Sequence, residues 1–251
     1  MYKLFGLRVD ETLEINRHQS YLLEQKAAFM TEFTAWFAQH DMAQSHYTPL
    51  LNDGVYEAFV NNDDQDGFYS VLYYQALAWH AKDFSLSRVL LILSECRQLF
   101  VLMSERKNNH RLAKALCRMI DVAQLIVSNV YQMHETLQHL KAKSQSEVQC
   151  MRRSFQLISA QVPEELVQAF IDHQNWKIRA FSCALGEIDD GDFPYSTHEC
   201  LLGKWLNSGG FARIPEHELK GFEAAHEQVH RLGFLALNEV KMRHPERIVD
   251  F

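Results

Sequence analysis

Apolar residues recur at helical spacing through most of this chain. Leu13, Tyr21, Leu22, Phe29, Phe33, Trp36 and Phe37 predict a helix over residues 9–40. Residues 41–66 break the pattern. Pro49, Asn52-Asp53-Gly54 and the start of the polar run Asn61-Asn62-Asp63-Asp64-Gln65-Asp66-Gly67 mark the least regular part of the chain. The aromatic-rich stretch 68–81 returns to helix, and Ser85 is placed to cap a helix over 86–104. Leu112, Leu116, Met119, Ile120, Ala123, Ile126, Val127, Val130 and Met133 form one stripe of a helix over 110–140.

Beyond that stripe the apolar positions thin out. His134, Gln138, Lys141, Lys143, Gln145 and Glu147 predict a solvated helical connector without a sustained heptad. Pro163 with Glu164 and Glu165 opens a new helix, its acids at the positive end of the dipole, and the pattern carries it to about Glu187. Asp189-Asp190-Gly191-Asp192 and Pro194 end it. A short helix follows over 198–208, closed by Gly209-Gly210, and Pro215-Glu216 opens the last one, to about Arg243. The fold class read from these periods is all-α. The domain reading is a helical domain over 1–140, a connector over 141–162 and a second helical domain over 163–251.

Composition narrows the class. Of 251 residues, 47% are hydrophobic, enough for a globular core, and only 10 glycines and 5 prolines interrupt them. The formal charge is −7 with no basic stripe, which argues against a nucleic-acid partner. The apolar run Val89 to Leu93 is too short to span a bilayer. Met1-Tyr-Lys-Leu-Phe lacks the apolar core and cleavage site of a signal peptide, so a cytoplasmic location is expected, with no membrane partner. Five cysteines without paired spacing fit a reducing compartment better than a disulfide framework.

The candidate chemistry lies in the last third. His226 and His230 are four apart on the final helix, hence on one face, and share its apolar stripe with Leu219, Phe222, Val229, Gly233, Leu237 and Val240. A buried imidazole needs a polar partner, and a metal ion can be one. His173 sits on the preceding long helix among Ala169, Trp176, Ala180 and Cys183, again an inward face. Cys200 opens the short helix, where the dipole favours a thiolate, with Gly203 allowing another helix to approach and Trp205 offering apolar cover. One thiolate and three imidazoles fill a tetrahedral zinc shell and leave no open position for a substrate water. His198 and Cys183 are rival donors. Glu227, beside His226, is the only base in reach for a hydrolytic reading, and it points about 100° from the histidine. No phosphate-binding loop, dinucleotide fingerprint or nucleophile pattern is present, so an enzyme is not expected.

These motifs resemble the chemoreceptor zinc-binding domain family over about residues 165–240. The resemblance is carried by His173 with Trp176, by Cys200-Leu201-Leu202-Gly203-Lys204-Trp205, and by His226 with His230. The aromatic stands three residues after His173, where the family more often has it two after. The resemblance implies a four-helix bundle, often dimeric, with one zinc per copy, that tunes chemoreceptors or diguanylate cyclases and in some members responds to oxidants through the cysteine. No glycine-rich cyclase signature occurs here, so the output belongs to a partner or to an absent domain.

Residues 1–140 resemble, more weakly, the globin-like sensor domains of bacterial signalling proteins. The matching features are Phe29, Phe33 and Phe37, then Gln75-Ala-Leu-Ala-Trp-His80, then two long helices. The resemblance makes His80 the axial haem ligand. Phe33 is followed by Thr34 where the family often has tyrosine, and the stretch from Thr34 to His80 is short for the haem-clamping helices. The expectation is a degenerate globin-like domain without haem, used for dimerisation or sensing. The alternative is a haem-based gas or redox sensor that uses His80.

Overall fold

The computed structural model describes residues 7–39, 53–61, 65–158, 164–185, 187–188, 191, 193–213 and 216–241. Ten α-helices account for most of them: α1 Val9–Arg17, α2 Gln19–Glu24, α3 Lys26–Gln39, α4 Asp53–Val60, α5 Gln65–Ala81, α6 Leu86–Arg106, α7 His110–Ile158, α8 Glu164–Ala184, α9 Leu201–Asn207 and α10 Glu216–Lys241. A single 3₁₀ turn, Gly210–Arg213, follows α9. No strand occurs among the described residues, and the protein is all-α. The chain divides into two compact units, Met1–Tyr131 and Gln132–Phe251, with α7 running through the boundary.

In the first unit, the predicted helix over 9–40 is three helices. The break at His18 has no proline or glycine behind it. The His18 backbone N–H bonds to the Ile15 carbonyl at 2.9 Å, and its ring Nδ1 takes the Glu14 carbonyl at 3.0 Å in place of the helical bond. Asn109, from the turn before α7, approaches the His18 Nε2 at 3.1 Å and donates to Glu14 Oε1 at 3.0 Å. A tertiary contact therefore decides where α1 stops. Gln39 is the last residue of α3, and positions 40–52, including Pro49, lie outside the described residues.

The second departure is α4, inside the stretch read as irregular. Asp53-Gly54 begins a helix because the residues after it are core: Val55, Tyr56, Ala58, Phe59 and Val60 are all buried. Tyr56 donates its hydroxyl to the Leu22 carbonyl at 2.7 Å, and its ring lies 5.0 Å from Phe29 and 5.9 Å from Phe100. An eight-residue helix is marginal alone, and this packing holds it. Phe33 and Phe37 extend the aromatic core along α3 at 4.7 Å. Ser85 caps α6 as expected, its Oγ accepting from the Arg88 N–H. Asn108, at φ 50°, turns the chain between α6 and α7, and Asn109 Oδ1 then caps α7 through the N–H groups of Arg111 and Leu112.

α7 is one helix of 49 residues, about 74 Å long. The thinning pattern after residue 134 still leaves a buried stripe of Leu137, Ser144 and Val148, so this half packs on one side and is solvated on the other. It is tied to α8 and the residues after it by polar links: Lys177 to Glu147 at 3.2 Å, Gln138 to Glu187 at 3.0 Å, and Lys141 to Glu187. α8 ends at Ala184, slightly before the predicted stop, and packs against α10 through Phe170 and Phe222. No helix among the described residues is long and apolar enough to cross a membrane.

Candidate metal centre

Three helices of the second unit supply the site. On α8 the predicted inward stripe is buried as a set: Ala169, Trp176, Ala180 and Cys183. This places His173 against the interior. On α10 the four-residue spacing turns His226 and His230 inward together, 7% and 3% exposed, while Glu227 between them is exposed. Cys200 is the N-cap of α9 and 2% exposed, and its sulfur accepts from the Gly203 N–H at 3.2 Å. The short helix starts at Leu201 instead of 198 because the cysteine itself caps it.

The donor atoms of His173, Cys200, His226 and His230 all lie within 4.8 Å of one another. The Cys200 sulfur is 3.3 Å from His226 Nε2. The three imidazole rings sit 4.9–5.7 Å apart between centroids. Of the rival donors, neither joins this group. His198 is exposed and lies 3.4 Å from the Asn207 amide, and Cys183 is buried further along α8. His80 belongs to the first unit, at the end of α5 and half-buried, with its ring 5.0 Å from Tyr131. None of the five cysteines is in a disulfide.

Two buried nitrogens test whether the residues fit a metal. His173 Nδ1 and His230 Nε2 have no hydrogen-bond partner in the structure. Unpaired buried polar atoms are costly, and a cation shared among them removes that cost. On His230 the tautomer follows from its other side. Nδ1 lies 3.0 Å from the Tyr195 carbonyl, which can only accept, so Nδ1 carries the proton and Nε2 presents its lone pair to the cluster. Burial first, then the neighbouring imidazoles, pushes the His173 pKa down to about 4; His226 is pushed to about 4 by burial and His230. His230 is lowered as well, again by burial. The rings are neutral at neutral pH, the form that binds a metal.

The thiol differs from expectation. The helix start does lower its pKa through the Gly203 and Leu202 N–H groups, but burial outweighs them, and the Cys200 pKa lies above its ordinary value. Without a metal it is a thiol. The four protonation states together predict a proton count: zinc uptake at pH 7 releases about one proton, from the sulfur, and none from the rings. Zinc affinity therefore falls about tenfold per unit of pH decrease, until His173 and His226 protonate nearer pH 4. Calorimetric titration in buffers of different ionisation enthalpy measures this directly.

Gly203 has a different task from the one its sequence suggests. It admits the Thr197 carbonyl, not another helix: a Cβ at this position would stand 1.7 Å from that oxygen. The loop 197–200 folds back onto the first turn of α9, and this close approach holds the sulfur in place. Gly203→Ala should therefore destabilise the protein by about 1–3 kcal/mol and weaken metal binding with it, as seen in urea unfolding with and without zinc. The wall of the site is Trp176. Its ring is parallel to His173 at 5.9 Å, 4.2 Å from His230 and 5.0 Å from Phe193, and its Nε1 donates to the Pro194 carbonyl at 2.8 Å. Gly233 on α10 makes room for it, since a Cβ there would meet the indole at 2.5 Å.

The model of the chemoreceptor zinc-binding domain (CZB) family matches residues 173–237. The matched segment lies in the C-terminal third of the chain. The match begins at His173 and contains all four donors. Neither any curated protein nor any solved structure matches the chain. The matched segment holds His173, Trp176, Cys200, Gly203, His226 and His230; the four possible donors converge, Trp176 stacks on His173, and the Gly203 N–H meets the Cys200 sulfur. What the motifs omit is main-chain chemistry: the carbonyls of Pro194, Tyr195 and Thr197, all from the irregular segment between α8 and α9. No side-chain signal marks those positions. The nearest hint is the aromatic pair Phe193 and Tyr195, whose rings lie 5.0 Å apart, Phe193 packing on Trp176.

Proposed function

We propose that this chain is a zinc-binding regulatory protein of bacterial signal transduction, in which zinc is held by His173, Cys200, His226 and His230. The observation that carries the proposal is the convergence of one sulfur and three imidazoles, two of them with orphaned nitrogens, inside a CZB domain. A set of four protein donors is the closed arrangement of structural and regulatory zinc, with no position left for a reacting water. The chain acts by binding and not by catalysis. Occupancy of the site sets the packing of α8, α9 and α10, since metal binding is linked to folding of the elements that supply the ligands. The finer reading is a cytoplasmic homodimer with a four-helix bundle at its C-terminal end. Its output is a chemoreceptor-type or diguanylate-cyclase-type partner or attached domain, and a globin-like N-terminal domain without haem serves dimerisation or sensing.

Elemental analysis of protein purified without chelator tests the central point, and one zinc per chain is expected. Protein without metal, unable to take up added zinc, ends the proposal. The alternative, a haem-based sensor with His80 as axial ligand, is separated by absorption spectroscopy. Haem reconstitution is expected to give no Soret band, and a Soret band lost in His80→Ala would favour the alternative.

A further inference from the structure

The four donors are buried, so an ion must reach them through a defined opening. One open cavity of about 350 Å³ shares a wall with the cluster. Its lining includes His226, Gly203, whose N–H donates to the Cys200 sulfur, and His198, Asn207, Glu223 and Glu227. At about 30 Å³ per water, this volume accommodates a divalent ion with its hydration shell. Glu223 and Glu227 are exposed and one turn apart on α10. His198 is exposed too, and its 3.4 Å contact to the Asn207 amide is long enough to release. None of the three belongs to the group of donors within 4.8 Å of one another.

We propose that this cavity is the route by which zinc enters and leaves the centre, and that Glu223, Glu227 and His198 act as transient ligands that pass the ion to His226. The inference rests on the zinc reading above. Two carboxylates at the mouth of a cleft concentrate a divalent cation there. They exchange the ion's waters one at a time before His226, the buried donor on the cavity wall, takes hold. The three residues are positioning residues for the metal's passage and add nothing to the final shell.

The test uses the full chain and zinc alone. Rapid mixing follows uptake, and release is followed into an excess of a chromogenic chelator. The double variant Glu223→Gln/Glu227→Gln should take up zinc about tenfold more slowly, with one zinc still bound per chain and with less effect on affinity than on rate. Its uptake should also lose most of its dependence on salt. Asn207→Trp, which puts a large ring into the cavity lining, should slow uptake and release together and leave the affinity unchanged. His198→Ala should slow both steps in the same sense. Wild-type rates in the double variant and in Asn207→Trp overturn the route, and so does loss of stoichiometric binding in the double variant, which would put the carboxylates in the shell. A wild-type chain that takes up no zinc overturns the zinc reading and this route with it. A wild-type chain that loads normally, beside variants that load equally fast, overturns the route alone.

Discussion

Cys200→Ser is expected to abolish stoichiometric zinc binding while leaving the metal-free fold nearly intact. The sulfur has two tasks in the structure, and serine can perform only one. As the N-cap of α9 it accepts from the Gly203 N–H, which a serine oxygen does at least as well. As a donor it supplies the only charge-neutralising ligand of the set, and a neutral hydroxyl is a poor substitute for a thiolate on zinc. The loss of affinity should exceed the roughly 10–100-fold that follows disturbance of an outer-shell partner. Cys200→Ala removes both tasks and should cost about 1 kcal/mol more in the metal-free protein, the usual value of a lost cap. Thermal unfolding reads both effects. Zinc at about a hundred times its Kd should stabilise the wild type by about 2.7 kcal/mol and leave both variants unmoved. A Cys200→Ser protein that retains one zinc per chain would remove the sulfur from the site.

The second large effect is at Trp176. The indole is 6% exposed, lies against the rings of His173, His230 and Phe193, and packs on the backbone of α10 at Gly233. Truncation leaves a cavity between α8 and α10, so Trp176→Ala should destabilise the protein by about 3–5 kcal/mol. It also frees His173 and His230 to rotate away from the common point, so zinc affinity should fall even where the fold survives. Trp176→Phe separates packing from hydrogen bonding. It keeps an apolar wall but leaves the Pro194 carbonyl without its indole partner, a cost of about 1–3 kcal/mol. Urea unfolding followed by circular dichroism, with zinc titrated into each variant, distinguishes the two. A Trp176→Ala protein of wild-type stability would mean that the indole is not a structural wall.

The cluster of His173, Cys200, His226 and His230 was readable along the chain for a local reason. His226 and His230 lie on the apolar stripe of a long helix, and His173 shares a face with Ala169, Trp176, Ala180 and Cys183, so period alone turned them inward. Cys200 stood at a helix start with a glycine three residues on. The role of that glycine was not readable, because its neighbour is the Thr197 carbonyl, an atom that every residue type carries. The same holds for the Tyr195 carbonyl that sets the His230 tautomer. In the first unit, α4 lay hidden behind Asn52-Asp53-Gly54, whose turn character is local, whereas the burial of Tyr56 and Phe59 that sustains the helix is not. The break at His18 depends on Asn109, ninety-one positions away.

By itself the amino-acid order determined the helical class, the inward faces of α8 and α10, and the residue types that stand on them, because each follows from the residue types within a turn or two. The tertiary structure alone decided that one sulfur and three imidazoles meet within 4.8 Å, which nitrogens are left bare, and that burial raises the Cys200 pKa above its ordinary value. Those properties depend on distance and burial, which arise only when segments far apart in the chain pack against one another.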